Sequence, residues 1–374
     1  MQLLLSTHSS GWLQSNMAKR LRSGFTTGAC SAAAAKAATS AITTGTCPKS
    51  IEIGFPGGSR HSFVVHSCTL DGKQATASII KDAGDDPDVT NKAEIIAIVQ
   101  LDHRKNGESP CVIHDNIQLF RGKGVGIVTK PGLAISVGEP AINPVPRQMI
   151  YQAIQEVTQQ DLSVTISVAN GELLAEKTLN KRLGILGGLS ILGTTGIVRP
   201  LSADSWTATI SATMDVAKEA GLTDIVISTG RTSEKGAQHL LQLPDEAYVE
   251  MGDFLHFSLS EAKKKGFSTV HYSGMWAKVM KAALRIPQTH VKNGALEVAA
   301  GAELLEGLGA KPPLLDLLYK SNTAREMLTH INDTGQTELI NKVCLRAKEY
   351  AEEIACTKVH IYLIDHKTEV IAHV

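Results

Sequence analysis

The chain has 374 residues, 43% hydrophobic and 20% charged, enough to bury a sizeable core and, by the usual size of domains, to form two of them. Lys and Arg number 37 and Asp and Glu number 37, so the formal net charge is zero. A surface built for nucleic-acid phosphates or an anionic membrane carries a cationic excess, and aromatic residues, at 4%, are scarce for base-stacking platforms.

Residues 1–22 are polar and weakly basic, and the apolar triplet Leu3 to Leu5 is too short for a signal-peptide core. No window approaches 18 consecutive apolar residues, so no membrane span is expected. The six cysteines (Cys30, Cys47, Cys68, Cys111, Cys344 and Cys356) form no C-x-x-C and no zinc-finger spacing. Scattered in a chain of this length, they fit the reduced thiols of a cytoplasmic protein. The histidines form no H-E-x-x-H or H-x-H pattern, and no metal site is expected.

Order begins at Ser23-Gly24-Phe25-Thr26-Thr27-Gly28, followed by an alanine-rich run, residues 29–38, with the highest helix propensity. Thr26 and Thr27 stand where N-cap residues belong. The free amides behind that turn predict an anion or ligand docking point, or simply a well-capped buried helix. Alternating segments at 50–53, 62–70, 75–80 and 95–101, separated by Pro56-Gly57-Gly58 and Asp71-Gly72, predict antiparallel strands. A Gly- and Pro-rich stretch, 121–146, leads into a helix over 147–160. Residues 23–182 therefore predict an α+β domain with a mixed or antiparallel sheet.

From about residue 183 the pattern changes. A strand-like segment at 184–193 and strands at 224–228, 247–251, 269–273 and 359–364 alternate with helices at 204–220, 254–265, 276–284 and 339–354. Such alternation, with glycine at strand exits, predicts for 183–374 a Rossmann-like α/β domain with a mostly parallel sheet and sites at the carboxyl ends of its strands.

Three glycine-marked exits are expected to meet in one pocket. Gly193-Thr194-Thr195-Gly196 is placed at the end of the first such strand, Thr229-Gly230 at the second, and Gly252-Asp253 at the third. An acidic side chain at a strand end suits ribose hydroxyls, which makes Asp253 or Glu250 a candidate; an N-cap role is the structural alternative for Asp253. Walker A and G-x-G-x-x-G patterns are missing. In the first domain, Asp82, Asp85, Asp86 and Asp88 crowd four carboxylates into seven residues, which suits a cation without matching the EF-hand template, or raises one carboxyl into the range useful for proton transfer, or forms a solvated turn. Residues 121–147 hold Arg121, Lys123, Lys130 and Arg147 against Glu139 alone, a local net of +3 on a glycine-rich backbone that suits a polycarboxylate or is ordinary surface charge on a loop.

Several long motifs carry a resemblance. Phe25-Thr-Thr-Gly-Ala-Cys-Ser-Ala-Ala-Ala-Ala-Lys-Ala-Ala, Lys81-Asp-Ala-Gly-Asp-Asp-Pro-Asp-Val-Thr, Gly124-Val-Gly-Ile-Val-Thr-Lys-Pro-Gly-Leu, Gly138-Glu-Pro-Ala-Ile-Asn-Pro-Val-Pro-Arg147 and Gly188-Leu-Ser-Ile-Leu-Gly-Thr-Thr-Gly-Ile-Val-Arg-Pro200 occur in order. The sequence they define resembles the CbiD family, the cobalt-precorrin-5B (C1)-methyltransferases of anaerobic cobalamin synthesis. Two segments depart from that family's pattern: Arg121-Gly-Lys-Gly124 replaces Gly-Gly-Glu-Gly, and Gly274-Met-Trp-Ala-Lys278 carries the bulky Trp276 in place of isoleucine.

The resemblance implies methyl transfer from S-adenosylmethionine to ring carbon C1 of a polycarboxylated cobalt-corrin precursor, giving cobalt-precorrin-6A. On that reading Gly193, Thr194, Thr195, Gly196, Thr229, Gly230 and Asp253 hold the cofactor. Thr26, Thr27, Lys130, Arg147 and Arg199 grip the substrate, and Asp82, Asp85 and Asp86 are the candidate proton-transfer groups. No nucleic acid or membrane partner is expected, and the sequence leaves room for a homo-oligomer. A non-catalytic tetrapyrrole carrier and a dinucleotide-dependent corrin-pathway reductase are the alternatives.

Overall fold

The computed structural model describes residues 21–101, 111–200, 202–288 and 298–374. Almost all of the 1–22 extension therefore lies outside the described residues. The alanine run forms the helix Thr27–Thr44, started by Thr26, whose hydroxyl accepts from the Ala29 amide at 3.1 Å, and ended by Gly45 in the left-handed conformation. From Thr27 to Thr39 its side chains are buried all round, because the helix lies between a sheet and the helix Pro144–Gln155. Methyl groups are what so enclosed a helix can carry without forcing its neighbours apart.

The sheet under that helix has six strands in the spatial order Ser67–Asp71, Gln74–Ile80, Glu94–Leu101, Leu162–Val168, Ile117–Arg121 and Cys111–His114. Leu162–Val168 pairs antiparallel with Glu94–Leu101 (Val164 opposite Val99) and parallel with Ile117–Arg121 (Val164 opposite Leu119). Ala75, Ala77, Ile79, Ile95, Ala97, Val99, Leu119, Val164 and Ile166 alternate along these strands into the core beneath the alanine helix. The mixed sheet matches the sequence reading. The expected strand over 62–70 is instead two strands, Arg60–Val64 in a hairpin with Ser50–Gly54, and Ser67–Asp71 at the sheet edge.

The second sheet runs in the spatial order Tyr248–Glu250, Asp224–Ser228, Thr269–Gly274, Lys358–Ile364, Val370–His373. The first four strands are parallel and the last is antiparallel. In chain order this is 2-1-3-4-5, in which the first connection returns to one side of the opening strand and the next crosses to the other. Helices Ala203–Glu219, Leu255–Lys265, Trp276–Ala283 and Glu338–Ala355 cover one face around Ile225, Ile227, Val270, Tyr272 and Ile361. Arg231–Leu241 covers part of the other, over Val226. Three further helices, Val298–Gly307, Leu314–Lys320 and Ala324–Asp333, precede the fourth strand and were not read from the sequence.

Short strands beyond the expected boundary at 182/183 pair with residues before it. Ile185–Leu186 pairs with Ile127–Val128, Gly188–Leu189 with Gly124–Val125, and Ile197–Val198 with Gly24–Phe25, three two-stranded bridges that tie 185–198 to residues of the first half. The segment 184–193 reads as a strand of the second half because it is apolar and glycine-bounded. Short bridges to distant residues, which no local periodicity encodes, claim it for the first. Arg182 fastens the halves together: its guanidinium donates to both carboxylate oxygens of Glu234, at 3.0 and 2.5 Å, and to the Tyr248 carbonyl at 3.0 Å. Lys130 adds an ion pair to Glu246 at 2.6 Å.

On the sheet face shared with Arg231–Leu241, His271 and His360 stack with ring centroids 5.4 Å apart, and His373 stacks on Tyr362 at 4.4 Å. Burial and the neighbouring His360 hold the His271 pKa below its ordinary value, offset in part by Asp224 at 3.9 Å; burial and Lys358 do the same to His360. Folded-state pKa values below the unfolded one make the unfolded chain the stronger proton acceptor, so the associated stability is complete above about pH 6.5 and is lost on acidification. Thermal unfolding followed by circular dichroism is expected to show a midpoint that drops below that pH. The paired replacements His271→Asn and His360→Asn should flatten the drop.

Candidate functional site

Two places collect the residues singled out in the sequence. The first is the N-terminus of the alanine helix. Here the Gly28 amide donates to the Leu192 carbonyl at 3.1 Å, and the Thr26 amide donates to the Gly196 carbonyl at 3.0 Å. The Thr27 hydroxyl accepts from the Leu192 amide at 2.9 Å. The Gly28 and Ala29 amides expected to receive an anion are thus occupied by the protein itself, and Thr26 and Thr27 are buried as cap and lacing.

Gly193, Thr194, Thr195 and Gly196 therefore close over the start of the alanine helix and do not end a strand of the parallel sheet, correcting the expected placement. A Cβ on Gly193 would stand 2.5 Å from the Thr26 Cβ, and its φ of +127° is one that L side chains rarely adopt. Thr194 and Thr195 are exposed at the loop tip, and Arg199 beyond them is exposed and makes no ion pair with a described residue.

The acidic turn beside this loop is paired. Arg22 forms a bidentate ion pair with Asp82 and donates its amide to Asp85 at 2.6 Å. Lys81, only 1% exposed, pairs with Asp88 at 2.6 Å. The Arg22 guanidinium and the Gly84 amide hold the Asp82 carboxyl down at about 2, and Asp88, despite its burial, is also lowered by Lys81. The raised carboxyl pKa considered from sequence is thus reversed for these two, because each found a cation. Arg147 is similarly engaged: it donates to the Ile142 carbonyl at 2.6 Å and to Glu139 at 2.8 Å, clamping the loop ahead of its own helix. Lys130 is spent on Glu246. Both cations thus have a carboxylate partner within the protein.

The second place is the carboxyl edge of the parallel sheet, where Thr229-Gly230, Glu250 to Asp253 and Gly274 emerge side by side. The Thr229 amide donates to the Ser273 carbonyl at 3.2 Å and the Met251 amide to the Ser228 carbonyl at 2.8 Å, which fixes the three exits relative to one another. Ser273 donates to the Ser233 carbonyl at 2.7 Å, and Ser233 donates to the Gly230 carbonyl at 2.9 Å, bracing the turn into Arg231–Leu241. In the 2-1-3 order this edge is where the connections diverge to opposite faces and leave a crevice.

Glu250 ends its strand half-buried, its pKa raised by burial first and then by Glu234, while Arg231 and Arg182 pull it back. Asp253 neither caps the following helix, whose N-cap is Phe254, nor stands alone, because it forms an ion pair with Lys278. Trp206, in the first turn of Ala203–Glu219, lies over Gly252. Sequence reasoning passed over Trp206; one tryptophan in a helical pattern carries no periodic signal. Among the described residues no group of three or more His, Cys, Asp or Glu is placed to hold a metal ion, and no helix is long and apolar enough to cross a membrane.

A mixed-sheet half joined to a mostly parallel-sheet half defines a mixed α/β protein. The chain belongs to the CbiD family: the CbiD family model matches residues 14–200 and the model described as CbiD, C-terminal domain, matches residues 288–374. The first match ends at Pro200, two residues beyond the bridge of Val198 to Gly24. A relative from Desulfotalea psychrophila named cobalt-precorrin-5B C(1)-methyltransferase is 60% identical over 356 residues, 94% of this chain and 97% of that protein. One of the same name from Geobacter metallireducens is 46% identical over 354 residues, 90% of this chain and 94% of its own. A crystal structure described as cobalamin biosynthesis protein (cbiD) from Archaeoglobus fulgidus is 26% identical over 69% of this chain and 78% of its own, with a TM-score of 0.36, too low to bear on the fold.

The Gly193 contact makes that loop part of the folding core. Gly193→Val is expected to destabilise the protein by about 3 kcal/mol, from overpacking and an unfavourable backbone conformation, and so to lower its thermal midpoint. Unchanged melting with selective loss of S-adenosylhomocysteine binding would return the loop to the cofactor.

Proposed function

We propose that this chain is a cytoplasmic S-adenosylmethionine-dependent methyltransferase that methylates ring carbon C1 of cobalt-precorrin-5B to give cobalt-precorrin-6A. The observation that carries the reading is 60% identity to a protein of that name, extending over nearly the full length of both chains. The C-terminal half is read as Rossmann-like, with the donor at the exits of Asp224–Ser228, Tyr248–Glu250 and Thr269–Gly274.

The residues at that edge fit an adenosyl group. The Thr229-Gly230 turn offers bare backbone, and the Glu250 carboxylate follows Gly230 by 20 positions at the next strand exit, suited to accept from ribose hydroxyls. Asp253 stays a second acidic candidate through its pair with Lys278. When bound, the donor supplies an activated methyl group, and the substrate's own ring carbon supplies the electron pair.

The chain's task is then to hold two molecules at near-attack distance, which can supply several kcal/mol of the barrier reduction. Asp82, held near 2 by Arg22, is a poor base at neutral pH, consistent with positioning as the main contribution. Thr194, Thr195 and Arg199, exposed on the first half, are assigned to the substrate's side, with Arg199 meeting its carboxylates.

Anaerobic incubation with S-adenosylmethionine and cobalt-precorrin-5B, followed by mass spectrometry, is expected to show the gain of one methyl group. An unchanged mass would instead indicate a carrier, and a gain of hydrogen requiring a nicotinamide would indicate a reductase. Because the folded pKa of Glu250 is raised, calorimetry should show S-adenosylhomocysteine affinity falling on acidification earlier than an ordinary glutamate would allow. Glu250→Gln should weaken binding about tenfold, the scale of a hydrogen bond to a charged group, and remove that pH dependence.

A further inference from the structure

Trp206 is the large aromatic side chain that the parallel-sheet edge leaves in solvent. It is 42% exposed and stands beside the half-buried Phe254, with ring centroids 6.4 Å apart and planes 26° from parallel. Ala203, Asp204 and Ser205 around it are exposed too, so no described part of the chain covers this first turn. The indole reaches over Gly252, where a Cβ would stand 3.5 Å from the ring; glycine keeps the backbone bare at that point. Gly252 is two residues beyond Glu250, hence within about 7.6 Å of it along the chain.

The charges nearby narrow what such a platform takes. Asp204 shares the helical turn, Glu250 ends the adjacent strand, and Asp253 follows Gly252, with its charge paired to Lys278. A polycarboxylated macrocycle is disfavoured beside that set. A neutral planar base joined to a polyhydroxylated sugar and a cationic tail suits it, since the indole stacks on the base and the carboxylates meet the hydroxyls and the cation.

We infer that Trp206 is the stacking platform for the purine ring of the methyl donor, with Gly252 as the floor beneath the indole. The assignment rests on the methyltransferase reading above and adds a base-recognition residue to it.

The test is calorimetric titration of the full chain with S-adenosylhomocysteine and with 5′-methylthioadenosine, which keeps the base and sugar but lacks the amino-acid tail. Trp206→Ala is expected to weaken both ligands by about tenfold to a hundredfold, the range for removing one base–aromatic stack, with the thermal midpoint nearly unchanged. Trp206→Phe should bind both within about threefold of the parent. In the parent, S-adenosylhomocysteine should shield the exposed indole from acrylamide quenching, a shielding lost in Trp206→Phe; this measurement stands even if the alanine variant folds poorly. Parental affinity in Trp206→Ala, or weakened binding of the corrin precursor alone, overturns the inference. A parent chain that binds no S-adenosylhomocysteine overturns the methyltransferase reading itself, a separate result.

Discussion

The enclosure of one helix governs the first half of this protein. Thr27–Thr44 has the sheet on one side, Pro144–Gln155 on another and the hairpin at residues 50–64 near its middle, so it must be thin all round. Alanine meets that demand, and the few polar residues admitted are each satisfied. Ser31 and Thr39 donate to carbonyls one turn back, at 2.8 Å each. Lys36 donates to the Glu52 carbonyl at 2.8 Å and pairs with Glu156, which Arg60 also clasps. Those cations hold the Glu156 carboxyl at about 2, Arg60 foremost. An unpaired ammonium in that position would destabilise the helix that everything else packs upon.

The same rule explains where the cations of the sequence went. A charge taken out of water needs a partner, and the partner is found wherever folding brings one near. Arg147 reaches Glu139 and Lys130 reaches Glu246, while Lys81 and Arg22 neutralise the acidic turn. Within the locally basic stretch between Arg121 and Arg147, Lys130 and Arg147 thus have carboxylate partners, Arg121 donates to the Val125 carbonyl, and Lys123 stays exposed. Near the strand exits Arg231 is exposed, as are Trp206 and Asp204 in the first turn of Ala203–Glu219.

Much of the secondary structure was legible because its causes are local. The alanine helix, its threonine cap, the buried strands Asp224–Ser228 and Thr269–Gly274 and the amphipathic helix Glu338–Ala355 follow from propensity and period. The exits at Thr229-Gly230 and Gly252-Asp253 lie where glycine after a β-rich run places them. The Gly193–Gly196 loop was misplaced because its glycines answer two demands that look alike in sequence: room for a ligand, and room for the Thr26 side chain.

The sequence by itself determined many of the elements, the family and the class of chemistry, since propensities act between near neighbours and long ordered motifs carry ancestry. Only the tertiary structure decided what residues 185–198 pair with, which cations have carboxylate partners, and which aromatic ring faces solvent at the open edge. Those are pairings between groups tens to hundreds of positions apart, such as Thr27 with Leu192, Arg182 with Glu234 and Trp206 with Gly252. Each exists because burial rewards whichever partner the fold delivers, and no local pattern names that partner in advance.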